Sequence, residues 1–129
     1  MSDALIRAAT EARMRAFAPY SGFRVGAALL ADNGTVITGC NVESASYGLT
    51  LCAERVALVK AVSEGYVRFT AVAVVADTER LTPPCGACRQ LLWEFAPDAT
   101  VTLANLQGLT AQYTVRGLLP HGFDASLLG

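Results

Sequence analysis

A continuous run of apolar residues in the middle of the chain places the strongest constraint on its fold. Residues 69–77 read FTAVAVVAD and are rich in valine. A strand with one exposed face alternates apolar and polar residues, so an unbroken run indicates a strand that is covered on both faces. We therefore expect helices to pack against both sides of the sheet that contains this strand.

The rest of the chain supplies elements for such a sheet. Helical or alternating apolar spacing and the turn Asp32-Asn33-Gly34 predict these elements in chain order: helix 3–17, strands 25–30 and 36–42, helix 52–64, strand 69–77, helix 85–95, and strands 100–105 and 109–115. This order predicts an α/β fold, a three-layer α/β/α arrangement with a five-stranded mixed sheet. At 129 residues, we expect one domain over 1–129.

The low content of charged residues bears on the partners of the protein. Asp, Glu, Lys and Arg make up 16% of the chain and apolar residues 53%, whereas about 25% charged residues is typical. We expect part of the apolar surface to be buried against other copies of the chain. The net charge is −1 and basic residues are scattered, so a polymeric nucleic acid is not expected as a partner.

The sequence contains no feature that predicts contact with a membrane. The apolar runs 25–31 and 71–76 are far shorter than the about 20 residues of a spanning helix. Met1-Ser2-Asp3 leads into an amphipathic segment without the basic and apolar regions of a signal peptide. We therefore expect a cytoplasmic protein.

Three of the four cysteines lie in two motifs at predicted helix starts, CAER at 52–55 and PCGACR at 84–89. Cys85 and Cys88 are three residues apart, so in a helix they share a face and can bind one metal ion. A third thiolate, from Cys52, would give a three-cysteine site with one open coordination position. An open position is typical of catalytic zinc, whereas structural zinc is usually closed by four protein ligands.

Glu54 and Arg55 follow the first cysteine closely. Residues two apart in a regular helix point about 200° away from each other, so Cys52 and Glu54 act together only if Cys52 caps the helix. A carboxylate in that position can take a proton from an attacking water and deliver it elsewhere. Arg55 is expected to donate hydrogen bonds to the sulfurs and to offset the charge of three thiolates.

Other interpretations of these residues remain open. A lone Cys-x-x-Cys pair is also typical of a redox dithiol or of half a structural zinc site. A closed zinc site needs a fourth ligand, for which Cys40 and His121 are the available residues. We expect Cys40 to be a small core residue and His121 to lie at the surface or an interface, and Arg89 is left unassigned. A non-enzymatic zinc-stabilised domain is thus one alternative.

The two motifs together match the signature of zinc deaminases, Cys/His-x-Glu followed by Pro-Cys-x-x-Cys. The chain resembles the cytidine deaminase family, specifically its small homotetrameric type with three cysteine ligands. The resemblance covers nearly the whole chain. Besides the two motifs, the segments that carry it are APYS at 18–21, FRVGAAL at 23–29, GCNVE at 39–43, NLQG at 105–108 and LLP at 118–120.

The resemblance implies an activity and a cofactor. The implied reaction is hydrolytic deamination of cytidine and 2′-deoxycytidine to uridine and 2′-deoxyuridine with release of ammonia, a step of pyrimidine salvage. One zinc ion per subunit is implied to be bound by Cys52, Cys85 and Cys88, with Glu54 as the residue that transfers protons. A deaminase that acts on another cytosine-bearing molecule is the second alternative.

The resemblance also implies a set of residues that bind the nucleoside. Asn41 and Glu43 are implied to hydrogen-bond the ribose hydroxyls, and Phe23 to pack against the pyrimidine. The backbone at Ala53 is implied to hold the base edge, and Phe123 to reach the pocket of a neighbouring subunit. Structural roles are the alternatives: core packing for Phe23, turn formation for Asn41 and a solvated loop charge for Glu43.

Overall fold

The computed structural model describes residues 2–128. In chain order its elements are α1 (Ser2–Arg13), β1 (Val25–Ala31), β2 (Val36–Cys40), α2 (Ala53–Ser63), β3 (Phe69–Ala76), α3 (Gly86–Phe95), β4 (Thr100–Ala104), β5 (Thr110–Thr114) and the single turn α4 (Val115–Leu118). Short 3₁₀ helices cover Tyr47–Leu49 and Ala125–Leu128.

The strands form one mixed sheet with the order β2-β1-β3-β4-β5. β3 and β4 run parallel, with Val72 beside Val101, and the other neighbouring strands run antiparallel. Because a parallel pair needs a crossover, α3 connects β3 to β4. The predicted five-stranded mixed sheet is confirmed.

The central strand β3 is buried on both faces, as its sequence predicts. Val72, Val74 and Ala76 pack into the larger core beneath α2 and α3. Ala73 and Val75 belong to a second core beneath α1, on the opposite face of the sheet. The sheet therefore separates two helical layers, which confirms the three-layer α/β/α arrangement.

Two glycines allow helices to approach the sheet closely. A Cβ atom at Gly26 in β1 would overlap the carbonyl oxygen of Ala9 in α1. A Cβ atom at Gly39 in β2 would lie 2.7 Å from the carbonyl oxygen of Ala53 and 2.5 Å from the backbone nitrogen of Ala57. Gly39 thus sets how near the first turn of α2 lies to the sheet.

The first helix is shorter than the prediction of 3–17, which is wrong beyond Arg13. The next three N–H groups bond to carbonyls three residues back and form a tight turn. Phe17 then donates its N–H to the Asn41 carbonyl, and its own carbonyl accepts from the Glu43 N–H. This pairing with the segment after β2 is a long-range contact that helical spacing does not reveal.

Other element ends differ from the prediction by one or two residues, and the short helices were not predicted. β2 ends at Cys40, because Val42 forms bridges with Phe17 and Leu51 instead of extending the ladder to β1. The turn α4 begins directly after β5, where the Thr114 side chain accepts a hydrogen bond from the Gly117 N–H.

Within residues 2–128, no helix has the length and apolar character needed to cross a membrane.

We predict that Gly39→Ala lowers the free energy of unfolding by about 1–3 kcal/mol, because the added methyl group meets backbone atoms of α2 that cannot rotate away. Urea denaturation of the purified protein measures the change. Gly48→Ala is the matched control, since a Cβ atom there meets no atom within 4 Å and the gain from a less flexible unfolded chain is the same. Equal stability of the two variants would contradict the prediction.

Candidate active site and metal centre

Three cysteine sulfurs meet where α2 and α3 begin. Cys52 caps α2 with φ −71° and ψ 154°, and Cys85 caps α3 with φ −68° and ψ 170°, while Cys88 lies in the first turn of α3. The Sγ atoms all lie within 4.8 Å of one another, and those of Cys52 and Cys85 are 3.7 Å apart. Tetrahedral zinc with Zn–S bonds of about 2.3 Å separates two sulfurs by about 3.8 Å. The cap position that Cys52 needs is confirmed.

The donor set of this group fits zinc with one position left for another ligand. Its three donors are all thiols, which are soft ligands suited to zinc. Neither Cys40 nor His121 belongs to the group, and no fourth Cys, His, Asp or Glu joins it within residues 2–128. Three protein ligands and an open position are the arrangement of a catalytic site.

The surroundings of the three thiols differ. Burial raises the pKa of the Cys88 and Cys52 thiols above the ordinary range. Partial burial also acts to raise the pKa of Cys85. Hydrogen bonds outweigh this effect, so the pKa of Cys85 is lowered; their donors are the backbone N–H and thiol of Cys88, the Cys52 thiol and the Ala87 N–H. A bound cation favours the thiolate at every such position.

Glu54 lies in the first turn of α2 and its side chain is buried, with 5% of the residue exposed. Burial raises the pKa of its carboxyl group, and its own backbone N–H and the positive charge of Arg55 only partly offset this effect. A carboxyl group in such a setting takes up and releases a proton closer to neutral pH than an exposed one, as a general acid–base group requires.

Arg55, predicted to donate hydrogen bonds to the sulfurs, makes no such contact through its Nε atom within residues 2–128. Its Nε atom is instead buried with no partner in this part of the chain. A buried guanidinium nitrogen without a partner is costly. Three thiolates around one zinc ion carry a net negative charge, which is the kind of acceptor that this donor lacks.

A cavity of about 250 Å³ joins the sulfur group to the predicted substrate residues. Cys52, Cys85 and Glu54 line the cavity, and Val25 and Pro83 also lie in its wall. Four predicted substrate-binding residues line it as well: Phe23, Asn41, Glu43 and Ala53. Residues from four separate segments of the chain thus meet in one pocket close to the lower end of the size range for small-molecule sites.

Asn41 supports the wall of this cavity. Its side-chain oxygen accepts from the Val25 N–H at 2.9 Å, and its amide nitrogen donates to the Phe23 carbonyl at 2.7 Å. The side chain therefore braces the segment before β1 rather than forming a local turn. Phe23 is 42% exposed, so the core alternative for that residue is wrong.

Glu43 is held by the segment that follows α1. Its Oε1 atom accepts from the N–H groups of Tyr20 and Ser21 at 2.9 and 3.1 Å, and Oε2 accepts from the Ser21 hydroxyl. The Ser21 hydroxyl contributes most to holding the pKa of Glu43 below its usual range; burial opposes the shift and the two N–H groups reinforce it. Glu43 is thus an oriented acceptor and not a free loop charge.

Phe123 does not line this cavity and is 51% exposed. Gln90 holds its backbone from both sides: the Phe123 N–H donates to the Gln90 side-chain oxygen at 3.1 Å, and the Gln90 amide nitrogen donates to the Phe123 carbonyl at 2.6 Å. Just before it, the Gly122 backbone lies directly on the ring of Trp93. Sequence reasoning did not find these two contacts of α3, because nothing in the spacing links α3 to the C-terminal segment.

Two further predictions concern Cys40 and His121, which lie outside the site. Cys40 was expected in the core, but its side chain is only partly buried. The reason is its position at the end of β2, which is an edge strand of the sheet. His121 is exposed, as predicted.

Comparison with known proteins gives one consistent result. Residues 1–104 match the family described as the cytidine and deoxycytidylate deaminase zinc-binding region. A cytidine deaminase from Halalkalibacterium halodurans is 58% identical over 94% of this chain and 92% of its own length. One from Sporosarcina psychrophila is 52% identical over 95% of this chain and 90% of its own length.

A solved structure supports the same assignment. The crystal structure of cytidine deaminase from Burkholderia pseudomallei has a TM-score of 0.91 at 49% identity, and the match covers 95% of this chain and 99% of that one. The chain belongs to the cytidine and deoxycytidylate deaminase family. The predicted family, fold, zinc cofactor and hydrolytic deaminase class are confirmed.

We predict that Glu43→Gln lowers the free energy of unfolding at neutral pH. The difference in this free energy between the variant and the wild type should become smaller at acidic pH. A carboxylate whose pKa is lowered on folding contributes stability above its unfolded pKa of about 4.3, and loses this contribution as the pH falls through the lower folded value. Urea unfolding of both proteins between neutral and acidic pH measures the difference. Glu64→Gln is the control, because it measures how the loss of one exposed negative charge by itself changes the free energy of unfolding. A difference that does not vary with pH would contradict the prediction.

Proposed function

We propose that this protein, acting as one domain over residues 1–129, deaminates cytidine and 2′-deoxycytidine by hydrolysis. The products are uridine or 2′-deoxyuridine and ammonia. The observation that carries the proposal is the buried carboxyl group of Glu54 in the same small cavity as Cys52 and Cys85. The relatives named as cytidine deaminases support the choice of substrate.

Cys52, Cys85 and Cys88 are the residues that would hold one zinc ion per subunit. When bound, zinc supplies a Lewis acid that lowers the pKa of a water molecule enough for it to attack at neutral pH. The unpartnered guanidinium nitrogen of Arg55 is suited to hydrogen-bond the sulfurs once they are charged. That contact would limit the negative charge around the metal.

Glu54 would move the protons of the reaction. Its carboxylate accepts a proton from the attacking water and donates it to ring N3, which makes C4 more electrophilic. After the water oxygen bonds to C4, Glu54 transfers the second proton to the amino group, and the C4–N bond breaks to release ammonia. The carboxylate returns to its starting state, so water and nucleoside give one ammonia and one deaminated nucleoside.

The same cavity has groups suited to the rest of a nucleoside. Glu43 is an oriented acceptor for sugar hydroxyls, and the Asn41 amide keeps a second N–H to donate to them. The exposed ring of Phe23 offers an apolar face to a pyrimidine. The N–H of Ala53, at the start of α2, has no partner within the helix and is therefore available to the base edge.

We further propose a homotetramer in which Phe123 completes the pocket of a neighbouring subunit. The low charge of the chain and the exposed apolar side chains of Phe17, Tyr47, Leu49 and Phe123, each more than half exposed, support burial against other copies. Two hydrogen bonds between the Gln90 side chain and the Phe123 backbone, one donated by each residue, fix that backbone, so the ring projects from a rigid support.

We predict that Glu54→Gln reduces ammonia release from cytidine by about 10²–10⁴-fold, since an amide cannot carry the proton. Zinc content, measured on the same samples, should stay at the wild-type level because the three sulfurs are unchanged. Glu64→Gln, an exposed carboxylate at the end of α2, is the control and should keep full activity.

The outcomes separate the alternatives. A zinc-loaded wild type that releases no ammonia from cytidine or deoxycytidine would overturn the substrate and leave a zinc protein with another role. Equal activity of the wild type and Glu54→Gln would overturn the proton-transfer role of Glu54. A panel that includes free cytosine and single-stranded DNA tests the requirement for a nucleoside-sized substrate.

We predict that Phe123→Ala lowers kcat/KM by about tenfold through lost aromatic packing without a change in zinc content. Steady-state kinetics and analytical ultracentrifugation on the same samples measure activity and oligomeric state. Leu127→Ala removes an exposed apolar side chain from the same segment and should leave kinetics unchanged. Wild-type kinetics in Phe123→Ala would overturn the shared pocket.

A further inference from the structure

Arg89 holds both peptide groups that flank Cys85. Its Nε atom donates to the Pro84 carbonyl at 2.8 Å, and its backbone N–H donates to the Cys85 carbonyl at 2.9 Å. These carbonyls belong to the peptide planes on either side of the Cys85 Cα atom. The backbone bond is the ordinary i→i−4 bond of α3, which any residue except proline makes at position 89. The side chain adds the bond to the Pro84 carbonyl, which restrains the peptide plane on the N-terminal side of Cys85.

Cys85 is the member of the sulfur group that most needs such support. Cys88 is buried, with 1% exposed, and Cys52 is half-buried, whereas Cys85 is exposed. Core packing therefore holds Cys88 and the Pro84 ring next to Cys85, but not the Cys85 side chain itself. Residues 81–85 have no regular structure, so no ladder or helix bonds orient the chain on the N-terminal side of Cys85.

The guanidinium group is itself fixed from the other side. Its Nη1 atom donates to the Leu118 carbonyl at 3.2 Å. Leu118 is the last residue of α4 and packs partly against the core, and a carbonyl at a helix end has no partner within the helix. The planar fork of arginine spans two carbonyls at once, which the single point charge of lysine does not reproduce.

We propose that Arg89 is a positioning residue for the metal centre. Its side chain ties the Pro84 carbonyl to the end of α4 and so keeps the exposed ligand Cys85 in the geometry that retains zinc. Arg89 does not touch the substrate cavity, and its effect passes through the backbone of Cys85. The proposal depends on the proposed function only in taking Cys85 as a zinc ligand.

The test compares Arg89→Met, Arg89→Lys and Arg116→Met with the wild type. Arg116→Met is the matched control, since Arg116 is an exposed arginine in α4 with a single surface salt bridge to Asp98, an interaction of little energetic weight. Zinc-loaded proteins are mixed with a chromogenic chelator without any nucleoside, and the rate of zinc release is recorded. The reactivity of each cysteine toward iodoacetamide is followed by peptide mass spectrometry.

We expect Arg89→Met to release zinc about 10- to 100-fold faster than the wild type, the usual effect of losing an outer hydrogen-bond partner of a ligand. Arg89→Lys should fall between the two, and Arg116→Met should match the wild type. Cys85 is already the most exposed of the three thiols, so the comparison is with wild type from which the chelator has removed zinc. In Arg89→Met, the alkylation of Cys85 relative to Cys52 and Cys88 should exceed that in the zinc-free wild type, which zinc loss alone would not produce.

Zinc release from Arg89→Met at the wild-type rate would overturn the inference, as would a relative alkylation of Cys85 equal to that in the zinc-free wild type. If Arg89→Met does not fold, Arg89→Lys decides: faster release than in Arg116→Met supports the role, and an equal rate overturns it. A wild-type protein that retains no zinc would overturn the proposed function instead. The two failures are therefore distinguishable.

Discussion

The convergence of two strand ends on one edge of the sheet determines where chemistry takes place in this protein. β2 and β3 both run antiparallel to β1, so Cys40 and Ala76 at their carboxyl ends flank the start of β1 at Val25. The chain leaves both strands at this edge and begins α2 and α3 beside it. Two helix N-termini with unsatisfied N–H groups therefore face one cavity. The metal ligands, the buried carboxyl group and the Asn41 segment all depend on this topology.

The two carboxyl groups of the cavity illustrate how surroundings separate two roles. Glu54 is buried in the first turn of α2, and burial raises its pKa. Glu43 lines the same cavity, and there the Ser21 hydroxyl and two backbone N–H groups lower its pKa despite the opposing effect of burial. A group that exchanges protons and a group that stays ionised as a fixed acceptor are thus produced from the same residue type. Neither difference is visible in the sequence alone, since both depend on the folded surroundings.

Local patterns in the sequence predict most of the fold and the metal ligands. The unbroken run in β3 predicts burial on two sides, and the two-residue spacing of Cys52 and Glu54 requires the cap geometry that the structure has. What local patterns miss are contacts between distant segments. The end of α1 is set by hydrogen bonds of Phe17 to the segment after β2, and the support of Phe123 by Gln90 joins residues 33 positions apart.

Asn41 has a consequence for how a ligand would bind. Its amide is already committed to Val25 and Phe23 before any ligand arrives, so its rotamer is fixed in the free protein. Ordering a flexible side chain on binding costs about 0.5–1.5 kcal/mol, and this cavity avoids that cost at Asn41. The Asn41 side chain loses its conformational entropy when the protein folds and not when a ligand binds. The pocket wall is therefore pre-organised, and its polar contacts contribute more fully to affinity.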